Sequence, residues 1–222
     1  MNIVILHGWG HSGQMWDSFA AKFHGHKVLA LDLPGFGKEK LISENWDIAN
    51  HASWVVKKLQ TKNIKNSILI GHSFGGKIAT EIAINNPQLV NKLILIASPV
   101  LRRPSLSSKT KIMVHKVAKR VLFRNAMNIF TNEEYKDAHK NKMGRIFVNS
   151  VNYDASDRLG KIKVPTLIIW GESDRDAPLF IGKHMHEMIK GSKLEILKNT
   201  GHNLQLENPN ILFGLVNNFI NA

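Results

Sequence analysis

The stretch that decides the fold runs over Ile68–Gly76 and reads Ile-Leu-Ile-Gly-His-Ser-Phe-Gly-Gly. The three apolar residues predict the end of a buried strand, and Gly76–Asn85 has a helical pattern. Between them, Ser73 stands in the pattern Gly-x-Ser-x-Gly, in which a strained strand-to-helix turn lifts the serine hydroxyl clear of a sheet edge. Such a turn needs small neighbours, here Gly71 and Gly75. The stretch predicts an exposed nucleophile; the alternative is a glycine-rich loop that only packs a helix against a strand.

Short apolar runs recur along the chain and alternate with helical patterns. Runs that are apolar throughout are typical of parallel strands buried on both faces, and the alternation predicts a doubly wound, mostly parallel α/β sheet. In such sheets the functional site lies beyond the carboxyl ends of the strands. The predicted strands are Asn2–Leu6, Lys27–Leu31, Ser67–Ile70, Lys92–Ala97, Thr166–Trp170 and Lys193–Leu197. The predicted helices are Gln14–Phe23, Trp46–Gln60, Gly76–Asn85, Leu179–Ile189 and Pro209–Ile220, the last with Asn208 as its cap.

Residues 100 to about 160 interrupt this alternation. They contain no good strand pattern, but helix-like runs occur near Lys109–Phe123 and Asn132–Val148. We therefore predict a short helical cap inserted after the fourth strand. The whole chain, 1–222, is expected to be one domain, with a core formed by 1–99 and 161–222 and a cap at about 100–160.

Composition limits the classes of protein to consider. The chain has 222 residues, 43% of them hydrophobic, which suffices for one α/β domain. Cysteine is absent, which excludes disulfides and cysteine-based metal or redox chemistry. No apolar run approaches the length of a membrane span, and the stretch from Met1 reads as a strand, not a signal peptide. These features favour a cytoplasmic protein.

The net charge of +13 is concentrated in one segment. Residues 101–150 contain twelve Lys or Arg residues against only Glu133, Glu134 and Asp137. A positive field of this kind speeds association with acidic partners. The alternatives are a solvated helical face, an acidic macromolecule, and an anionic membrane or nucleic acid. The segment lacks a recognisable nucleic-acid-binding motif, so no nucleic acid is expected as a partner.

A serine nucleophile needs a general base, an orienting carboxylate and an oxyanion hole. After the Thr166–Trp170 strand come three acids within one loop, Glu172, Asp174 and Asp176, and after the last strand comes His202. The chain order is therefore serine, acid, histidine, with each residue type at a strand end. Proximity alone does not decide among the three acids.

Several short motifs occur along the chain in the same order as in a known superfamily. They are His-Gly-Trp-Gly at 7–10, Asp-Leu-Pro-Gly-Phe-Gly at 32–37, Gly-His-Ser-Phe-Gly at 71–75, Gly-x-x-Asp-x-x-x-Pro at 171–178 and Gly-His at 201–202. With them the chain resembles the α/β-hydrolase superfamily over nearly its full length. Among its members, the first two motifs are especially similar to the pimeloyl-acyl-carrier-protein methyl ester esterases.

The resemblance implies a role for each site residue. Ser73 would be the nucleophile and His202 the base, and the family spacing selects Asp174 as the acid, with Asp176 as the alternative and Glu172 as a solvated turn residue. The backbone N–H groups of Phe74 and Trp9 would form the oxyanion hole. Trp9 could equally fill the core. Asp32, His7, His11 and His72 are expected to serve turns, packing or hydrogen bonding.

The implied function is that of a serine carboxylesterase acting on a small-molecule ester through an acyl-enzyme, with no cofactor and no metal. Serine in the turn excludes the haloalkane dehalogenases and most epoxide hydrolases of this fold, which place aspartate there. The alternatives are a lactonase, a hydrolase that cleaves C–C bonds in ring-cleavage products, and a non-catalytic ligand-binding protein. The basic cap would dock an acidic acyl-carrier protein.

Overall fold

Six parallel strands form one sheet in the two ranges that the computed structural model describes, residues 1–101 and 132–222. The strand order is β2-β1-β3-β4-β5-β6. The doubly wound parallel sheet predicted from the sequence is confirmed. The strands are β1 (Asn2–Leu6), β2 (Lys27–Leu31), β3 (Ser67–His72), β4 (Val90–Ile96), β5 (Thr166–Gly171) and β6 (Lys193–Leu197).

The helices cover both faces of this sheet. Alternate residues of a strand point to opposite faces, so each inner strand contributes to two cores. One core contains Leu69 of β3 together with the helices at 48–61 and 74–85. The other core contains Ile70 of β3 together with the helices at 17–20 and 209–221. The described α-helices are α1 (Asp17–Ala20), α2 (Ile48–Thr61), α3 (Phe74–Asn85), α4 (Asn132–Lys140), α5 (Gly144–Val151), α6 (Leu179–Met188), α7 (Leu204–Glu207) and α8 (Pro209–Asn221).

Two predicted helices are divided in the structure. The segment predicted as Gln14–Phe23 is a 3₁₀ turn at Gly13–Trp16 followed by the single-turn α1. The run predicted as Asn132–Val148 is divided between α4 and α5, because Lys142 has a left-handed φ of 60° that an α-helix does not tolerate.

Asn208 is the N-cap residue of α8, as the sequence predicts. Its side chain, however, makes no hydrogen bond to the first turn of the helix. Its amide instead donates to Thr200 Oγ1 at 2.6 Å, in the loop after β6. The same side chain therefore ties the last helix to a loop at the carboxyl edge of the sheet.

The insertion between β4 and β5 is described only from Asn132 onward. The predicted helix at Lys109–Phe123 and most of the basic residues lie outside the described residues. Within the described part, α5 buries Ile146 and Phe147 against the core of the sheet. The domain and cap boundaries therefore stay predictions.

No helix within residues 1–101 and 132–222 combines the length and the apolar character that crossing a bilayer requires.

Candidate active site

The turn between β3 and α3 holds Ser73 in strained backbone geometry. Its φ of 48° and ψ of −110° lie where non-glycine residues are rare, a conformation that costs about 1–3 kcal/mol. The surrounding backbone fixes the turn: the Ser73 N–H donates to the Ile96 carbonyl at 3.0 Å, and the Gly75 N–H donates to the His7 carbonyl at 3.0 Å. The serine is thus held at the carboxyl edge of the sheet, as the motif predicts.

Glycine is required on both sides of this serine. A Cβ at Gly71 would lie 2.5 Å from the Cα of Gly76, and a Cβ at Gly75 would collide with the Leu6 carbonyl oxygen of β1. Real Cβ atoms do not approach other atoms so closely. The expectation that the flanking residues must be small therefore has a steric reason in the structure.

His202 lies in the loop after β6, and its position is fixed by its neighbours in that loop. The carboxylate of Glu207 accepts the N–H of Gly201 at 2.5 Å and the N–H of Asn203 at 3.0 Å, one on each side of the histidine. The ring of His72 lies with Nε2 3.0 Å from the His202 carbonyl. With the backbone held at three points, the imidazole has a defined place at the sheet edge.

The carboxylate beside this imidazole belongs to Asp174. His202 Nδ1 lies 2.8 Å from Asp174 Oδ2, and the Asp174 side chain is fully buried while that of His202 is 15% exposed. The other oxygen, Oδ1, accepts the N–H groups of Asp176 at 2.9 Å and Ala177 at 2.8 Å. Since a carboxylate only accepts, His202 carries its proton on Nδ1 and leaves Nε2 for a second partner.

The two other acids of the loop are placed differently. Glu172 and Asp176 are exposed, and Glu172 accepts the Asn199 N–H at 3.4 Å. Asp176 lines the same pocket as Ser73. Of the three candidate acids, the structure brings Asp174 to His202, which favours the residue selected by the family spacing.

Asp174, Asp176 and His202 also place one ligand atom each within 4.8 Å of one another, as a metal site would. However, both Asp174 oxygens already accept hydrogen bonds, from two backbone amides and from the imidazole. This donor set suits a hydrogen-bonded histidine–carboxylate pair better than a cation.

The two expected oxyanion-hole residues lie at the same edge of the sheet. Phe74 is the first residue of α3, where backbone N–H groups have no partner within the helix, and Trp9 follows β1. The Trp9 ring makes edge-on contacts with Phe36, Phe74 and Phe147 at 5.0–5.3 Å between centroids. The Trp9 side chain therefore fills the core and also lines the pocket, while its amide remains a candidate donor.

The pocket also contains residues that the sequence did not single out. Lys77 reaches it from α3, and three residues reach it from α5. Their sequence signal is weak, because the contacts join segments far apart in the chain. The lining residues are Trp9, Ser73, Phe74, Lys77, Pro99, Phe147, Ser150, Val151, Asp176, Ala177 and His202.

Glu134 of α4 is a further carboxylate near the site. Burial raises its pKa, the nearby charge of Asp176 raises it further, and His202 opposes this rise. The carboxylates of Glu134 and Asp176 therefore repel each other near the imidazole.

His7 and Asp32 make hydrogen bonds that stabilise the loops near the site. His7 Nε2 accepts the Leu33 N–H at 3.0 Å, and burial lowers the pKa of His7 to about 4. Asp32 accepts the N–H of Gly13 at 2.7 Å and of Lys38 at 2.8 Å, which closes the turn after β2. These contacts agree with the turn and hydrogen-bonding roles expected for both residues.

A family model and two relatives that match this chain are all hydrolases. The model of the "Alpha/beta hydrolase family" matches residues 3–213. The uncharacterized hydrolase YugF of Bacillus subtilis is 32% identical over 219 residues, covering 88% of this chain and 80% of that protein. A 2-hydroxy-6-oxononadienedioate/2-hydroxy-6-oxononatrienedioate hydrolase of Klebsiella pneumoniae is 26% identical over 251 residues, covering 98% and 86%.

Solved structures share the same fold. An esterase from Exiguobacterium antarcticum superposes with a TM-score of 0.81 at 24% identity, covering 100% of this chain and 92% of that chain. A hydrolase from Pseudomonas aeruginosa does so with a TM-score of 0.79 at 20% identity, covering 100% and 90%. With its parallel sheet, its serine turn and a family match over nearly all of its length, the chain belongs to the alpha/beta hydrolase family.

Proposed function

We propose that the protein is a serine carboxylesterase, with Ser73 as nucleophile, His202 as base and Asp174 as the orienting acid. The observation that carries this proposal is the joint placement of the three residues. Ser73 and His202 line one pocket, and His202 Nδ1 lies 2.8 Å from a buried Asp174 oxygen. Such an arrangement fits acyl transfer.

The reaction follows from the hydrogen-bond roles of these groups. The Ser73 hydroxyl attacks the ester carbonyl while His202 Nε2 takes its proton, and that proton then passes to the departing alkoxide. Water, deprotonated by the same nitrogen, hydrolyses the acyl-enzyme and restores the serine. The backbone N–H groups of Phe74 and Trp9 would stabilise the oxyanion of each tetrahedral intermediate.

A panel of p-nitrophenyl esters of increasing acyl length tests this proposal. We expect hydrolysis by the wild-type protein and none above background by Ser73→Ala. A lactone belongs in the same panel because it is an internal ester. The absence of turnover on every ester and lactone would contradict the proposal.

A second candidate is hydrolysis of a C–C bond by the same three residues. Its support is the similarity to hydrolases named for 2-hydroxy-6-oxononadienedioate, at 26% identity over 98% of the chain. Measuring the loss of such a dienedioate beside the ester panel separates the candidates. Turnover of the dienedioate alone would favour the C–C hydrolase; a protein that turns over neither but binds ligand would be the non-catalytic alternative.

The basic segment at 101–150 is proposed to dock an acidic acyl-carrier protein in the cytoplasm. The support for docking is the charge of this segment, which has twelve basic residues and three acidic residues. The support for the cytoplasm is the absence of cysteine from the chain. The test replaces Lys116, Arg120 and Arg124 by Glu and compares carrier-linked with free esters. We expect a selective loss on the carrier-linked ester; equal turnover of both would contradict docking through these residues.

A further inference from the structure

A buried ammonium group lies in the pocket beside the nucleophile. Lys77 is only 5% exposed and lines the pocket together with Ser73. Lys77 lies in the first turn of α3, four residues after the serine, and its backbone N–H donates to the Ser73 carbonyl at 3.3 Å. Its Nζ donates to the Ser150 carbonyl at 2.7 Å and lies 3.4 Å from Ser150 Oγ.

This ammonium has no carboxylate partner among the described residues. The acid one turn further along α3, Glu81, is already engaged: it accepts hydrogen bonds from Asn85 at 2.7 Å, Tyr153 at 2.8 Å and Arg158 at 2.8 Å. No described carboxylate forms an ion pair with Lys77. Its charge is held by the neutral oxygens of Ser150.

The sequence between the two described ranges is basic and contains no acidic residue. Residues 102–131 contain eight Lys or Arg residues and no Asp or Glu. Burial lowers the pKa of Lys77 to about 8, so most of the population is still charged at pH 7. A buried cation without an anion is costly, and a ligand that carries the anion would relieve this cost.

We propose that Lys77 binds a carboxylate on the acyl part of the substrate, so that the enzyme prefers half-esters of short dicarboxylic acids. This inference rests on the proposed esterase function and names its substrate class. Ser73 and Lys77 line one pocket, so we infer that a short acyl chain reaches from one residue to the other. Asp176 also lines the pocket, but it is exposed, so solvent screens its repulsion more than it screens the attraction of buried Lys77.

The test compares two esters of nearly the same shape. Monomethyl glutarate carries a carboxylate, and the methyl ester of glutaric acid monoamide carries an uncharged amide in its place. We expect kcat/KM to be about 10- to 100-fold higher for the half-ester, the range of a hydrogen bond between charged groups. In Lys77→Met, this ratio should fall toward one, because the variant lacks the charge that distinguishes the two esters.

Other results would overturn the inference. If wild-type protein turns over both esters equally, or if Lys77→Met lowers both equally, Lys77 only supports Ser150 and does not bind substrate. The wild-type ratio needs no variant, so it remains decisive even where Lys77→Met does not fold. Ser150→Ala, which keeps the carbonyl acceptor of Lys77, should retain the preference.

Failure of the esterase proposal is distinguishable from failure of this one. Should neither ester be cleaved, calorimetric titration of Ser73→Ala with the same two compounds still measures the charge preference in binding. Tighter binding of monomethyl glutarate that is lost in Ser73→Ala/Lys77→Met would support the anion site. Equal affinities, or no binding of either compound, would overturn it.

Discussion

The two sides of the pocket are built from different parts of the molecule. The proposed catalytic residues, Ser73, Asp174 and His202, lie in turns after β3, β5 and β6, at the carboxyl edge of a sheet buried on both faces. The opposite side comes from α5. The Ser150 carbonyl of this helix accepts a hydrogen bond from Lys77 Nζ of α3.

We infer from this difference that the sheet edge carries out the reaction, whereas the α5 side selects the substrate. Reacting groups need fixed geometry, and the strand ends of a packed sheet supply it. The α5 side is held by individual contacts. The Asn149 amide donates a hydrogen bond to the Trp46 carbonyl at 3.2 Å, and the Phe147 ring packs edge-on against the Trp9 ring. Substitutions at the sheet edge should therefore remove turnover on every substrate, whereas substitutions on the Lys77–Ser150 side should change which substrate is preferred.

The largest expected effect is that of removing the nucleophile. Ser73→Ala should lower kcat about 10⁶-fold, as in a serine protease triad, while the melting temperature stays near that of the wild type. Ester turnover and thermal unfolding measured together test this. Ser53→Ala, on the exposed face of α2, is the matched control and should leave both unchanged. Turnover retained in Ser73→Ala would place the chemistry elsewhere.

Replacing the acid should have the next largest effect. Asp174→Asn should lower kcat about 10⁴-fold, because the amide no longer holds His202 in the tautomer that needs Nε2 free. Asp176→Asn is the matched control in the same loop and should change kcat only a few-fold. If the two results were reversed, the orienting role would move to Asp176.

A third prediction concerns the sheet edge itself. Gly75→Ala should lower the free energy of unfolding by at least about 1–3 kcal/mol, because its Cβ would meet the backbone of β1. Gly160→Ala is the control, since a Cβ there meets nothing within 4 Å, and its effect should stay within about 0.5 kcal/mol. Chemical denaturation of both variants measures the difference, and equal stabilities would contradict the tight turn.

The smallest effect is a change of preference with pH. The free ammonium of Lys77 loses its proton above a pKa of about 8, whereas the carboxylate of monomethyl glutarate stays ionised. The ratio of kcat/KM for the half-ester over the amide ester should therefore fall about tenfold between pH 7 and pH 9. Taking the ratio removes any pH effect on the catalytic step that the two esters share. A ratio that is constant over this range would contradict a charged Lys77 as the selector.

The sequence predicts the sheet and its edge better than it predicts the opposite side of the pocket. Strands β1, β2 and β6 have the predicted bounds, because short runs of apolar residues between turn signals are a local property. The serine turn and the acid spacing are local motifs as well. The fold and the placement of His202 beside Asp174 follow from such signals.

The contacts that shape the pocket are not local. Lys77 and Ser150 are 73 residues apart, and nothing near either residue indicates the other. Asn208 shows the same limit over a shorter separation. It occupies the predicted cap position, but its side chain donates a hydrogen bond to Thr200 in the loop after β6 and none to the helix. Tertiary contacts override local preferences at these positions.

Reaction with a fluorophosphonate probe, followed by intact mass and peptide mapping, tests the central claim most directly. The probe reports an activated serine and needs no knowledge of the substrate. We expect one adduct, located on Ser73, absent from Ser73→Ala and much slower to form in Asp174→Asn. Failure to label the wild-type protein, or an adduct on another residue, would contradict the assignment of Ser73, His202 and Asp174 as the catalytic group.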